Sequence, residues 1–252
     1  METLWNISSV SDFILLGLTQ NPRQQCPLFA VFCTVYLVTL SGNSLIISLI
    51  VTDRELQTPM YFFLGNLSFV DICFSSVTAP LMLAHLLMDN KSISFEGCMT
   101  QLFFFIWTAV MEWFVLAIMA YDRIIAISNP LRYICIINRR ACLCLIGTAW
   151  ILSSSHSVLH TSIISSLDYC GSNKINEHFC DQPPLLALSC SNTAGYNIVV
   201  LTEGSFVAVG PFIFVVLSYC HILKTILNTR SSSGRYQAFS TCSSHLTSVG
   251  LL

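Results

Sequence analysis

The run CMTQLFFFIWTAVMEWFVLAIMA, residues 98–120, carries one charged side chain, Glu112, in an otherwise apolar stretch. A helix needs about 20 such residues to cross a hydrocarbon core of about 30 Å. Four more runs reach that length, at residues 27–52, 59–88, 141–167 and 196–223, and only Asp71 and Glu203 put an acid into them. The composition agrees, because 10% of the 252 residues are charged and 54% are hydrophobic. An ordinary soluble domain is about 25% charged. Mean hydropathy is +0.70. A soluble helical core would need polar outer helix faces, which these runs lack.

A further apolar run starts near Phe239, includes Ser240, Thr241, Ser243, Ser244 and His245, and ends at Leu252, too short to span. The expected fold is therefore an all-α membrane protein in one domain. Its full spans fall at about 28–51, 60–83, 98–121, 141–161 and 197–223, with the start of a sixth at 239–252.

Short loops rich in Lys and Arg stay cytoplasmic. With the N-terminus outside, Arg54, Arg123, Arg132, Arg139, Arg140, Lys224, Arg230 and Arg235 fall inside, and Arg23, Lys91 and Lys174 fall outside. This distribution predicts an extracellular segment 1–27. The start METLWNISSVSDFILLGL lacks a basic region followed by a long apolar core, so no cleaved signal peptide is read there and the first span serves as insertion signal. The sequons at Asn6 and Asn90 then lie outside as candidate glycan acceptors, whereas the one at Asn66 lies within a span.

Cys98 opens the third span, and Cys170, Cys180 and Cys190 lie ten apart in the loop between the fourth and fifth. Four external cysteines allow three pairings. A bridge from Cys98 to Cys180 would staple the loop over the third helix, and one from Cys170 to Cys190 would close the loop on itself. The first of these is the expected bridge in an oxidising compartment. Cys26 has no evident partner, and the cysteines within spans, with Cys135 and Cys242, are expected to be free thiols.

The segment Leu56-Gln57-Thr58-Pro59-Met60-Tyr61-Phe62-Phe63-Leu64 resembles the first inner-loop signature of odorant receptors, a branch of the rhodopsin-like G-protein-coupled receptors. Met119-Ala120-Tyr121-Asp122-Arg123-Ile124-Ile125-Ala126-Ile127 is similar to their MAYDRYVAI, with Ile124 in place of the usual Tyr and Ser128 where a Cys is common. Ala238-Phe239-Ser240-Thr241-Cys242-Ser243-Ser244-His245-Leu246 resembles their AFSTCSSHL, with Gln237 in place of the leading Lys. Ser41-Gly42-Asn43, Leu67-Ser68-Phe69-Val70-Asp71, Trp150, Pro211 and Ser218-Tyr219 also fall where that family has them. The resemblance runs from Asn6 to Leu252 and lacks the rest of a sixth helix and a seventh.

The resemblance implies a rhodopsin-like seven-helix bundle in the plasma membrane. It would bind small volatile odorants and activate the olfactory stimulatory G protein and adenylyl cyclase. The alternative is a truncated, non-signalling remnant retained in the endoplasmic reticulum. Odorant contact is expected from one face of the third helix, Leu102, Phe105, Ile106, Ala109 and Val110. Glu203, Gly204 and Val207 of the fifth would face them, roofed by Asp181 and Gln182. Asp122 would latch Arg123 in the off state, and Tyr219 would help hold the on state. Asp71 and Glu112, with Asn43 nearby, would line a pocket for a sodium ion, a hard cation suited to oxygen ligands. No other cofactor and no nucleic-acid partner are expected.

Membrane-enzyme motifs such as H-E-x-x-H or G-x-S-x-G are absent from the sequence, so no enzyme is expected. His156 and His160 share a helix face but lack a paired Glu in the sequence, and are read as packing in the fourth span.

Overall fold

The computed structural model describes residues 11–19, 21–88, 91–170 and 172–228. The sequons at Asn6 and Asn90, Arg230, Arg235, Cys242 and the start of a sixth span at 239–252 lie outside the described residues.

Among the described residues, five helices are long and apolar enough to cross a membrane: α1 (Pro22–Thr52), α2 (Pro59–Leu87), α3 (Phe95–Ser128), α5 (Arg139–Ser165) and α7 (Ala194–Asn228). Two short helices join them, α4 (Tyr133–Ile136) and α6 (Gln182–Leu188). The helices α1, α3 and α7 outrun their apolar stretches, since hydropathy reports only the hydrocarbon-facing part. Capping residues set the starts. Asn21 accepts from the Arg23 amide with Pro22 in the first turn, Ser94 accepts from the Gly97 amide, and Asn138 accepts from the Ala141 amide. Proline follows Thr58 at the start of α2, where its missing N–H costs nothing.

In lipid every backbone group must find its partner within the segment. Hydroxyls within the spans solve the same problem by donating to carbonyls one turn back. Thr34 bonds Ala30, Ser48 bonds Ser44, Ser75 bonds Asp71, Thr108 bonds Phe104 and Ser153 bonds Ala149. Thus these hydroxyls do not require water, whereas the buried Ser128 and Thr161 hydroxyls have no such partner.

The centre is α3, packed against α2, α5 and α7, while α1 leans on α2. Phe63, Leu67 and Val70 of α2 meet Met111, Val115 and Leu116 of α3 and Cys142, Ile146 and Ala149 of α5 in one core. Trp107 and Trp150 close its flank edge to face at 5.0 Å. No residue of α1 is buried, and Val38 and Val51 are 64% and 69% exposed. Such an apolar surface suits lipid or a packed partner rather than water.

Residues 1–27 were expected as an external tail, but β1 (Asp12–Leu15) lies within them and α1 already begins at Pro22. β1 is the middle strand of a small sheet, antiparallel to β2 (Ser92–Ser94) and parallel to β3 (Lys174–Ile175). Phe13 and Leu15 point from it into the apolar cluster at the top of α3, both wholly buried. A helical reading misses this cap because its strands are two to four residues long and come from three distant loops.

Candidate functional site

At the sheet-capped end, Cys98 is bonded to Cys180 with Cα atoms 5.5 Å apart, and Cys170 to Cys190 with Cα atoms 5.9 Å apart. Cys26, Cys33, Cys73, Cys135, Cys142, Cys144 and Cys220 are free. Gln101, nearly two turns into α3, joins three elements. Its Nε2 donates to the Val77 carbonyl of α2 at 2.9 Å, and its Oε1 accepts from the Cys180 amide at 3.0 Å.

Below the staple, Leu102, Ile106 and Val110 are buried along one face of α3, with Phe105 and Val207 packed against them. Phe105 also meets Phe179 of the loop at 4.8 Å. Ala109 and Gly204 are half-buried nearby on the same two helices. Asp181 and Gln182 have structural partners here. The Asp181 carboxylate caps α6 by accepting from the Gln182 amide at 2.7 Å, and the Gln182 side chain accepts from the Tyr196 hydroxyl at 3.2 Å. Burial pushes the Asp181 carboxyl above its ordinary range, against the lowering effect of that backbone amide. A cleft of about 680 Å³ opens at the opposite end of the molecule, lined by Leu56, Pro59, Phe62, Tyr133, Ile137 and Arg139 among others.

Glu203 has acquired partners. Its Oε1 lies 3.2 Å from His156 Nδ1, and its Oε2 lies 3.4 Å from His160 Nε2. The two histidines were expected only to pack in their span, without an acidic partner. Tertiary folding supplies that partner from α7, 43 positions beyond His160 in the numbering of the chain. His160 Nδ1 is 3.0 Å from the Tyr196 hydroxyl.

Midway along the bundle, Asp71 of α2 and Glu112 of α3 share a side-chain hydrogen bond. The Asn43 amide donates to the Thr39 carbonyl on its own helix at 3.1 Å.

At the far end of α3, Asp122 and Arg123 are both buried, and both Nε and a terminal nitrogen of the guanidinium donate to Asp122 Oδ2. Tyr133 of α4 donates to Asp122 Oδ1 at 2.8 Å. The Tyr133 hydroxyl is held well above its ordinary pKa, first by burial and then by the carboxylate it serves. Tyr219 of α7 is buried with Val215 and Ile222 against Ala120, and Ile124 packs on the same cluster.

The sequence profile of the olfactory receptor family matches residues 32–252. The chain belongs to the olfactory receptor family. It is similar to olfactory receptor 1f45 of Rattus norvegicus, 47% identical over 98% of this chain and 79% of the relative. It is also similar to olfactory receptor 1F1 of Homo sapiens, 46% identical over 97% of this chain and 78% of the relative. The olfactory receptor-like protein OLF1 of Canis lupus familiaris is 50% identical over 98% of this chain and 79% of its own length.

Olfactory receptors are G-protein-coupled receptors that detect odorants, not enzymes, and this one is a multi-pass membrane protein. In this receptor the sequence motifs mark Asp122 and Arg123 but not Tyr133, which completes the carboxylate's shell from eleven residues away. Gln101 and Tyr196 also carry no motif. For Gln101 a polar side chain inside an apolar run is the signal that could have singled it out, because a buried amide must be hydrogen-bonded; Tyr196 opens its run and carries no such signal.

Proposed function

We propose that this receptor sits in the plasma membrane with its disulfide-bonded end outside, binds a small volatile odorant there, and activates the stimulatory G protein and adenylyl cyclase from the Asp122–Arg123 end. The observation that carries this is the buried Asp122–Arg123 pair, closed by Tyr133 and joined through one continuous helix to the apolar face of Leu102, Ile106 and Val110. A charge pair buried at a helix end holds an arginine that a partner can use only after release, which suits a two-state switch. The ligand side offers apolar surface with a few polar groups, Glu203 foremost, as small-molecule sites do. The basic residues Arg132, Arg139 and Arg140 suit an acidic partner or lipid at the same end as Arg123.

A sodium ion fits the middle of the bundle. Two carboxyls in contact repel unless a proton or cation lies between them, and Asp71 and Glu112 with the Asn43 oxygen would supply hard oxygen ligands. Bound there, the ion would neutralise the pair and favour one arrangement of α2 against α3.

The test is expression with the stimulatory G protein, measuring surface label and cyclic AMP over an odorant panel. The expected result is an odorant response lost in Arg123→Ala with surface label retained. An equal response from that variant would overturn the assignment of Arg123. For orientation, glycosidase should shift the mobility of the chain and Asn6→Gln should lose part or all of that shift; no shift, or none lost in Asn6→Gln, would refute a glycosylated external N-terminus.

A further inference from the structure

We propose that His156, His160 and Glu203 form a binding site for a first-row transition-metal ion of the zinc class, between α5 and α7 near the disulfide-bonded end. The donor atoms of the three side chains all lie within 4.8 Å of one another. Residues four apart on a helix present their side chains on one face, and the two imidazole rings have centroids 4.3 Å apart. Glu203 reaches them from the facing helix.

Two of the separations, each to a different oxygen of Glu203, match those of ligands around an ion, and the whole donor set lies within 4.8 Å. Zinc bonds of about 2.0–2.1 Å to nitrogen or oxygen in a tetrahedron place neighbouring donors roughly 3.3 Å apart. His156 Nδ1 and Glu203 Oε1 are 3.2 Å apart, and His160 Nε2 and Glu203 Oε2 are 3.4 Å apart.

The hydrogen bonds around His160 point the same way. The Tyr196 hydroxyl donates to Gln182 Oε1 at 3.2 Å, so its oxygen is left to accept from His160 Nδ1 at 3.0 Å. With the ring proton on Nδ1, the lone pair of Nε2 is directed to the Glu203 carboxylate. His160 is 2% exposed, and its Nε2 is a buried atom without a hydrogen bond. A lone pair aimed at a carboxylate is stable only with a positive charge between them. A proton on His160 Nε2 would supply that charge for His160 alone, with neutral His156 donating from Nδ1 to the other carboxylate oxygen. One divalent ion serves all three donors at once. Two imidazoles and a carboxylate are a set that zinc accepts with a fourth position left open, and a hydrogen bond that fixes the tautomer from behind is a usual feature of such sites. Glu203 is about one-third exposed, with 34% of its side-chain surface accessible. His160 lies about 7.5 Å along the helix from the end of α5 at Ser165, so an ion has a short way in.

The experiment uses the full chain in detergent micelles with no odorant present, so its outcome is independent of the odorant reading. Cobalt(II) is titrated as a spectroscopic stand-in, followed by zinc. The expected result is one equivalent of cobalt giving the intense visible bands of a four-coordinate ion, bleached by zinc. Glu203→Gln and His160→Ala should each weaken binding by at least about a hundredfold, and Tyr196→Phe, which keeps all three ligands, by about 10–100-fold. Thermal unfolding without metal identifies any variant that fails to fold, in which case Tyr196→Phe carries the comparison. Absence of the bands in the wild-type chain, or equal affinity in a folded His156→Ala/His160→Ala/Glu203→Gln variant, would overturn the site.

Discussion

Replacing Gln101 with Met tests whether the external loop is fastened to α3 by a side chain as well as by sulfur. Methionine keeps the length of the side chain and removes both polar atoms. The Cys180 amide then loses its acceptor in a place where Cys180 is wholly buried. It cannot swing out to water, because the bridge to Cys98 pins the same residue. A buried donor left unsatisfied costs about 1–3 kcal/mol. The second loss, at the Val77 carbonyl, falls next to the Ser76 carbonyl that Pro80 deprives of its helical donor, where α2 has little spare bonding. For a chain of this size, about 2–4 °C of melting temperature per kcal/mol gives a fall of about 2–12 °C. The comparison is Thr34→Ala, which also deletes a hydrogen bond but an exposed one within α1. Its effect should stay within about 0.5 kcal/mol. Both variants would be purified in the same detergent and melted with the disulfides intact. If Gln101→Met melts with Thr34→Ala, the amide has another partner and the buried-donor argument fails.

The two bridges should differ in worth. Closing loops of 82 and 20 residues removes denatured-state entropy of about 4.5 and 3.3 kcal/mol, so the Cys98→Ser/Cys180→Ser pair should melt below the Cys170→Ser/Cys190→Ser pair. The reverse order would mean that chain entropy does not govern what the bridges contribute. Tyr133→Phe removes a hydrogen bond to a carboxylate worth about 1.5–3 kcal/mol and should raise basal cyclic AMP, with a tenfold or greater shift in the off-to-on ratio. Unchanged basal signalling at equal surface label would remove Tyr133 from the latch. Asp181 predicts a pH effect. Its carboxyl is raised by burial in the folded loop, so its contribution to stability is present in acid and lost as pH rises through the raised value. Asp181→Asn, which keeps a capping oxygen, should therefore slow hydrogen exchange in α6 at neutral pH and match the wild type below the ordinary carboxylate range. Faster exchange in the variant at neutral pH would show that the charged cap outweighs its desolvation.

Hydropathy located the membrane-crossing helices because the bilayer imposes one requirement on every span, and that requirement is written locally in composition. Helix starts were equally local, in Asn21, Ser94 and Asn138 and in the prolines that follow Asn21 and Thr58. The Asp122–Arg123 pair was legible as adjacent letters with a family resemblance around them. Other features had no local signature. The partners of β1 in the sheet lie about 80 and 160 positions away, at Ser92–Ser94 and Lys174–Ile175, and strands this short carry no periodicity.

The sequence by itself thus determined that the chain crosses a membrane, roughly where, and to which receptor family it belongs. What tertiary structure decided was the company each isolated polar residue keeps. Glu203, His156 and His160 read singly as acids and rings stranded in apolar helices. Only the placing of α7 beside α5 brings the carboxylate within 3.2 and 3.4 Å of the two imidazoles. The reason is energetic: a polar group inside a span is costly unless partnered, and its partner can come from any helix that the fold sets beside it, at any distance along the chain.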